Sequence, residues 1–142
     1  MGTIRSEIKT TARASDVWSV IRDIGALHTR LVPGFVVDTK LEPGARVVTF
    51  VNGMTIREPI VTLDDAERRL VWTAEGGKTR HYNASLQVFE APDSLTSVVW
   101  IADFLPDDAG GFLSQAIDAG MAAMKRALDR LASQRTVSVA DD

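Results

Sequence analysis

The sequence predicts an α+β fold in which a curved, seven-stranded antiparallel sheet wraps around one long C-terminal helix. Three observations predict it. The chain closes on a long helical pattern, strand-like segments precede that pattern with no other long helix among them, and tight-turn signals join the segments. From about Asp107 to Gln134 the apolar residues fall at Leu113, Ile117, Met121, Met124, Leu128 and Leu131. Spacings of four, four, three, four and three put a single apolar seam on a helix. Such a helix is roughly 40 Å long, at about 1.5 Å per residue. Its seam must be buried against the sheet, and a curved sheet gripping a long helix leaves space between them. The expected site is therefore a cavity.

The elements follow in order. Thr3 to Thr11 alternates, with Ile4 and Ile8 among polar residues, and reads as the first strand. Ser15 is a good N-cap, Val17, Trp18, Val20, Ile21 and Ile24 follow helical spacing, and Gly25 is expected to end that helix. Ala26 to Leu31 is a second short helical piece or a loop, stopped by Pro33-Gly34. Strands are expected at about Phe35–Leu41, Ala45–Val51, Thr55–Leu63, Arg68–Ala74, Thr79–Phe89 and Leu95–Leu105. Asn52-Gly53 is the sharpest hairpin signal, and strands joined so tightly run antiparallel. Pro59 cannot donate to a ladder, so a bulge is expected beside it.

Alternation assigns the inner face. Val48, Phe50, Ile56 and Ile60 share a phase, and Arg46 and Glu58 fall in it. Leu70 and Trp72, then Tyr82, Ala84 and Leu86, then Val98, Trp100 and Ala102 continue that face. His81, Asn83, Ser85 and Gln87 form the opposite, wet phase.

Composition narrows the function classes. With 142 residues, 45% hydrophobic and 25% charged, the chain reads as one globular domain. The domain is expected over residues 1–134, with 135–142 a flexible acidic tail. The net charge of −3 has no basic cluster, so no nucleic-acid partner is expected. Cysteine is absent, which removes disulfides and thiol chemistry. No membrane insertion is expected, since no run reaches the roughly 18 apolar residues a span needs, and the cytoplasm is the expected compartment. Nothing matches a P-loop, a dinucleotide fingerprint, a nucleophile elbow or a zinc signature, so no cofactor and no metal are expected. The partner is expected to be a small hydrophobic molecule, the protein a monomer or homodimer.

Several stretches resemble a known superfamily. They are Ala14-Ser15-Asp16-Val17-Trp18, Leu31-Val32-Pro33-Gly34-Phe35 through Glu42-Pro43-Gly44-Ala45-Arg46, and Leu63-Asp64-Asp65-Ala66-Glu67-Arg68-Arg69-Leu70. Tyr82-Asn83-Ala84-Ser85-Leu86 and Val99-Trp100-Ile101-Ala102-Asp103-Phe104 add to them. Together with the element order, these stretches resemble the START-like, helix-grip (SRPBCC) superfamily, in particular its small bacterial polyketide cyclase/dehydrase and lipid-transport-like proteins. The resemblance covers about residues 3 to 133 and implies the helix-grip fold, with two short helices between the first two strands. It implies a ligand cavity but not one activity, because the superfamily holds carriers, receptors, cyclases and chaperone regulators. Many relatives carry a tryptophan before the second strand. Here the stretch reads His28-Thr29-Arg30-Leu31, which implies a more polar cavity mouth.

The candidate site residues are Arg46, Glu58, Tyr82, His28, Trp72, Trp100, Phe50, Met121 and Met124. Arg46 and Glu58 lie on an otherwise apolar face, where a lone charge costs several kcal/mol. They are either a polar anchor for a ligand or a structural ion pair. His28 is either an acid–base group at the cavity mouth or an ordinary loop histidine. Tyr82, Trp72 and Trp100 stack on a flat ligand or simply pack the core. Met121 and Met124 are adaptable fillers of the seam. Small residues from Ala116 to Ala123 either bring the helix close to the sheet or leave volume for a ligand. Three functions follow: a carrier of an apolar or aromatic metabolite, lipid or polyketide-like molecule; a cyclase/dehydratase-type enzyme using the same pocket; or an interaction module with a filled core.

Overall fold

A computed structural model describes the backbone of residues 1–141 and the side chains of residues 1–135. Strand β1 (Gly2–Thr10) leads into helix α1 (Ala14–Arg22), a 3-10 turn (Ile24–Ala26) and a single π turn (Leu27–Leu31). Strands β2 (Val36–Glu42), β3 (Ala45–Phe50), β4 (Thr55–Asp64), β5 (Arg69–Thr73), β6 (His81–Glu90) and β7 (Thr96–Leu105) follow. A 3-10 turn (Asp107–Ala109) then opens helix α2 (Gly110–Asp141). The strands form one curved antiparallel sheet in the order β1-β7-β6-β5-β4-β3-β2, the helix-grip arrangement. Helix α2 extends past the expected Gln134 boundary. The expected acidic tail falls largely on side chains, and on Asp142 as a whole, that lie outside the described residues.

The period-2 reading of the inner face holds along the sheet. Trp72 stands opposite Ala84, Leu86 opposite Trp100 and Val88 opposite Val98. The α2 seam meets this face as its spacing requires. Ile117, Met121, Met124 and Leu128 are fully buried, and Leu113 and Leu131 pack half-buried at its ends. Helix α1 closes one side with Val17, Trp18, Val20 and Ile21.

Two local readings are corrected. Ser15 is not the N-cap of α1. Arg13 is, in extended conformation, and its carbonyl accepts the first helical hydrogen bond from Val17 N at 2.9 Å. Ala14, at the first helical position, is buried. Gly25 does not end α1, which stops at Arg22. A Cβ there would lie 3.0 Å from the Leu41 side chain, so Gly25 serves a close approach to β2. Asn52-Gly53 does join an antiparallel hairpin, β3 to β4. Pairing ends at Thr49 opposite Thr55, Gly53 takes φ +89°, and Asn52 Oδ1 accepts the Met54 amide at 3.0 Å.

The bulge expected beside Pro59 is found two residues later, where the β4–β5 register shifts between Ile60 and Thr62. Arg57 N donates to Glu75 O, in the segment just beyond β5. By the strand period a residue-59 amide would point the same way. The missing donor of Pro59 therefore falls in the gap between the Arg57–Glu75 bridge and the Ile60–Trp72 pair. The inner phase is kept as far as Ile60. Beyond the bulge Leu63, not Thr62, stands opposite inward-facing Leu70.

Gly120 is where α2 comes closest to the aromatic wall. A Cβ there would meet Phe35 Cε2 at 3.1 Å and Trp100 Cζ3 at 3.2 Å, and both rings are held by edge-on partners, Phe50 and Trp72. Gly120→Ala gains up to about 1 kcal/mol of helix propensity, but overpacking costs typically ~1–3 kcal/mol. We expect a net loss in urea unfolding. Gly111→Ala, which faces open space, should instead gain about 0.5–1 kcal/mol. Equal gains at both positions would show that the rings yield freely.

Candidate ligand cavity

Between the concave face of the sheet and the N-terminal half of α2 lies a cavity of about 160 Å³. Its walls are apolar, built from aliphatic and aromatic side chains of β2 to β7, the π turn and α2. Two ring pairs shape it. Phe35 and Phe50 meet edge-on with centroids 5.4 Å apart, and Trp72 and Trp100 do so at 5.7 Å. The mouth is formed by exposed residues of three elements: Val51 and Asn52 of the β3–β4 loop, Gly76 and Lys78 of the β5–β6 loop, and Phe112 of α2. Lys78 Nζ lies 5.2 Å from the centre of the Phe112 ring.

Arg46 and Glu58 supply the buried charge. They stand directly opposite each other in the β3–β4 ladder, and only 2% and 7% of their surfaces are exposed. Arg46 Nε donates to Glu58 Oε1 at 2.9 Å, and Nη1 reaches the Ile24 carbonyl at 3.4 Å. The guanidinium carbon lies 5.5 Å from the centre of the Trp72 ring, a cation–π contact. This uses only part of the pair's valence, because no other described side chain bonds Arg46 Nη2 or Glu58 Oε2. Nor are these atoms sealed: the buried polar atoms without a partner among the described residues are His28 Nδ1, Thr39 Oγ1 and Trp100 Nε1. Both residues line the cavity, so the free edge of each opens into it.

Burial pushes the Glu58 carboxyl above the usual carboxylate range, against the opposing charge and hydrogen bond of Arg46. Burial also pushes the Tyr82 phenol upward, with the nearby Glu58 carboxylate adding to the rise. Tyr82 therefore stays a neutral hydroxyl. Trp100 Nε1 is buried and has no hydrogen-bond partner among the described residues.

The structure brings together Arg46, Phe50, Glu58, Trp72, Tyr82, Trp100 and Met124. It leaves out two expected residues. Met121 is buried but lies elsewhere on the helix. At about 100° per residue it is some 60° round from Met124, away from the cavity side. His28 is half-buried in the π turn and does not line the cavity. From that segment the lining residues are Leu27, Leu31 and Val32, so the more polar mouth expected from His28-Thr29-Arg30 is not found. Sequence reasoning missed Phe35, Lys78 and Phe112. Strand and seam periodicity carries no signal for a loop residue or for the first turn of a helix.

A family model described as polyketide cyclase / dehydrase and lipid transport matches residues 1–134. The chain belongs to this family. Among proteins of curated function, none matches the chain. Similar solved structures of this family's fold include an uncharacterised Bacillus thuringiensis protein at 20% identity. The match covers 89% of this chain and 98% of that one, with TM-score 0.80. A solution structure from Thermobifida fusca is 28% identical, covering 94% and 95%, with TM-score 0.76. Norcoclaurine synthase from Thalictrum flavum, in complex with dopamine and hydroxybenzaldehyde, is 18% identical, covering 94% and 87%, with TM-score 0.72. The cavity here sits under the long helix. No helix among the described residues is long and apolar enough to cross a membrane.

Two tests address the ion pair. Arg46→Met alone strands a buried carboxylate and should cost about 3–5 kcal/mol, whereas Arg46→Met with Glu58→Leu should be neutral or stabilising by about 1–4 kcal/mol. Equal losses in both would argue that the pair itself stabilises the fold. The second test is a pH series. Because the folded pKa of Glu58 is raised, its contribution to stability is fully present below the unfolded carboxyl pKa and is lost as pH rises through the folded value. Glu58→Gln removes that titration. As pH rises above the ordinary carboxyl range the stability difference should therefore move in the variant's favour, and a flat difference would sink this reading.

Proposed function

We propose that the chain binds a small, mostly apolar molecule in the cavity under α2, with Arg46 and Glu58 meeting its polar end. One observation carries the reading: an apolar cavity closes around a buried ion pair that has spare hydrogen-bonding atoms facing inward. Ligand sites commonly combine apolar walls with a few placed polar groups. The volume suits one ring, since an engineered protein cavity of about 150 Å³ takes benzene. A two-chain lipid is far larger than this space. The same fold in norcoclaurine synthase holds dopamine and hydroxybenzaldehyde, which supports an aromatic occupant.

A second reading is enzymatic, and one feature favours it. Glu58 combines a raised pKa with a dry setting beside a fixed cation. A buried carboxyl beside a fixed cation is placed for proton transfer. With Arg46 stabilising the oxyanion, it would take a proton from carbon α to a carbonyl, as a cyclase or dehydratase requires.

The tryptophans provide the readout. Trp72 and Trp100 line the cavity, while Trp18 sits outside it with Nε1 bonded to Asp65 at 2.8 Å. In Trp18→Phe, single-ring aromatic ligands should change the remaining emission saturably. Ala116→Leu fills the cavity and should abolish that response, with stability kept or raised by about 0.5–2 kcal/mol. An unresponsive emission with every ligand would refute cavity binding and favour the interaction module. For the enzymatic reading, Glu58→Gln should bind but not turn over a β-ketone substrate that the parent consumes.

A further inference from the structure

The occupant's charge can be read from the lining. Among the described residues three charged side chains line the cavity: Arg46, Glu58 and Lys78. Two cations against one carboxylate leave a single positive charge uncompensated. The buried Arg46 and Glu58 neutralise each other, so the uncompensated charge is that of exposed Lys78 at the mouth, and one monoanion would make the lining neutral.

The hydrogen-bonding groups point the same way. Arg46 bonds Glu58 through Nε, and the 3.4 Å reach of Nη1 to Ile24 O is a long contact. The Nη edge of the guanidinium is therefore the under-used one, and a planar fork of N–H donors matches a carboxylate. No described side chain hydrogen-bonds the Tyr82 hydroxyl, and the buried Trp100 Nε1 has no partner among the described residues, so both are free to donate. Lys78 is solvated at the mouth and adds a positive field along the entry path. Donors dominate, so the matching ligand is rich in acceptors. The edge-on Trp72–Trp100 pair and the 160 Å³ volume fix the rest as one ring.

We propose that the cavity selects a monoanionic single-ring compound, an aromatic or alicyclic carboxylate, seated on the Nη edge of Arg46 with Tyr82 as second donor. This rests on the cavity being a binding site, and the experiment separates the two claims. Benzoate, benzamide, benzylamine and toluene present similar rings with anionic, neutral polar, cationic and apolar heads. Each is titrated into the Trp18→Phe protein at low salt and followed by tryptophan emission and calorimetry. Benzoate should bind about tenfold or more tighter than benzamide, since a charge-assisted pair replaces a neutral one, and benzylamine should bind weakest. Lys78→Gln should weaken benzoate about two- to threefold and flatten its salt dependence, leaving toluene unchanged. The Arg46→Met, Glu58→Leu protein should keep toluene and lose the benzoate preference, and toluene binding there confirms that the variant is folded. Benzamide or benzylamine matching benzoate would overturn the charge assignment while cavity binding stood. Silence from all four ligands would overturn both.

Discussion

A guanidinium cannot lose its proton inside a protein, so the buried charge of Arg46 must be met where it stands. Glu58 meets it from the neighbouring strand, the Ile24 carbonyl from the turn before β2, and the Trp72 ring from β5. Four elements thus depend on one side chain. A one-residue slip of β3 on β4 would turn every side chain of the slipped strand to the opposite face and leave one of the two charges buried alone. Strand register and cavity polarity are consequently one constraint. The same contact orders the aromatic wall, because Trp72 lies under Arg46 and stands edge-on to Trp100.

The open space has its own cause. Small residues along α2 could bring the helix onto the sheet or hold it away, and the structure uses them both ways. Gly120 takes the close approach, against Phe35 and Trp100. One turn earlier Ala116 and Leu113 leave the volume, and Phe112 stands at the mouth. Ile56 and Glu58 face the cavity on the phase that β4 keeps as far as Ile60, and the bulge beyond it reverses that phase, so Leu63 rather than Thr62 stands opposite Leu70.

Much of this was legible in the chain. Period-2 alternation put Arg46, Phe50, Glu58, Trp72, Tyr82 and Trp100 on one face, and the period is rigid enough to carry that prediction across five strands. The six-residue seam of α2 was equally plain. Failures came where no period applies. His28 lies in a π turn, whose side-chain directions follow neither the helical nor the strand rule. Met121 obeys the seam, yet a seam is wider than a cavity, so burial on it does not imply contact with a ligand. Lys78 follows two glycines of positive φ, and nothing in its local pattern says where such a loop turns its side chains.

Stability does not explain why Arg46 and Glu58 are where they are. Apolar residues of similar volume would pack the same site at equal or lower free energy, since desolvating two charges offsets most of their attraction. A purely structural pair would also be expected to close on itself, with both carboxylate oxygens and both guanidinium edges engaged. Here one hydrogen bond joins them and the remaining atoms open into a space with apolar walls. Free donors and acceptors in such a place are costly until something occupies them. A polar end entering with an apolar body would satisfy both the atoms and the void, which makes the half-used ion pair a feature of a site rather than of a core.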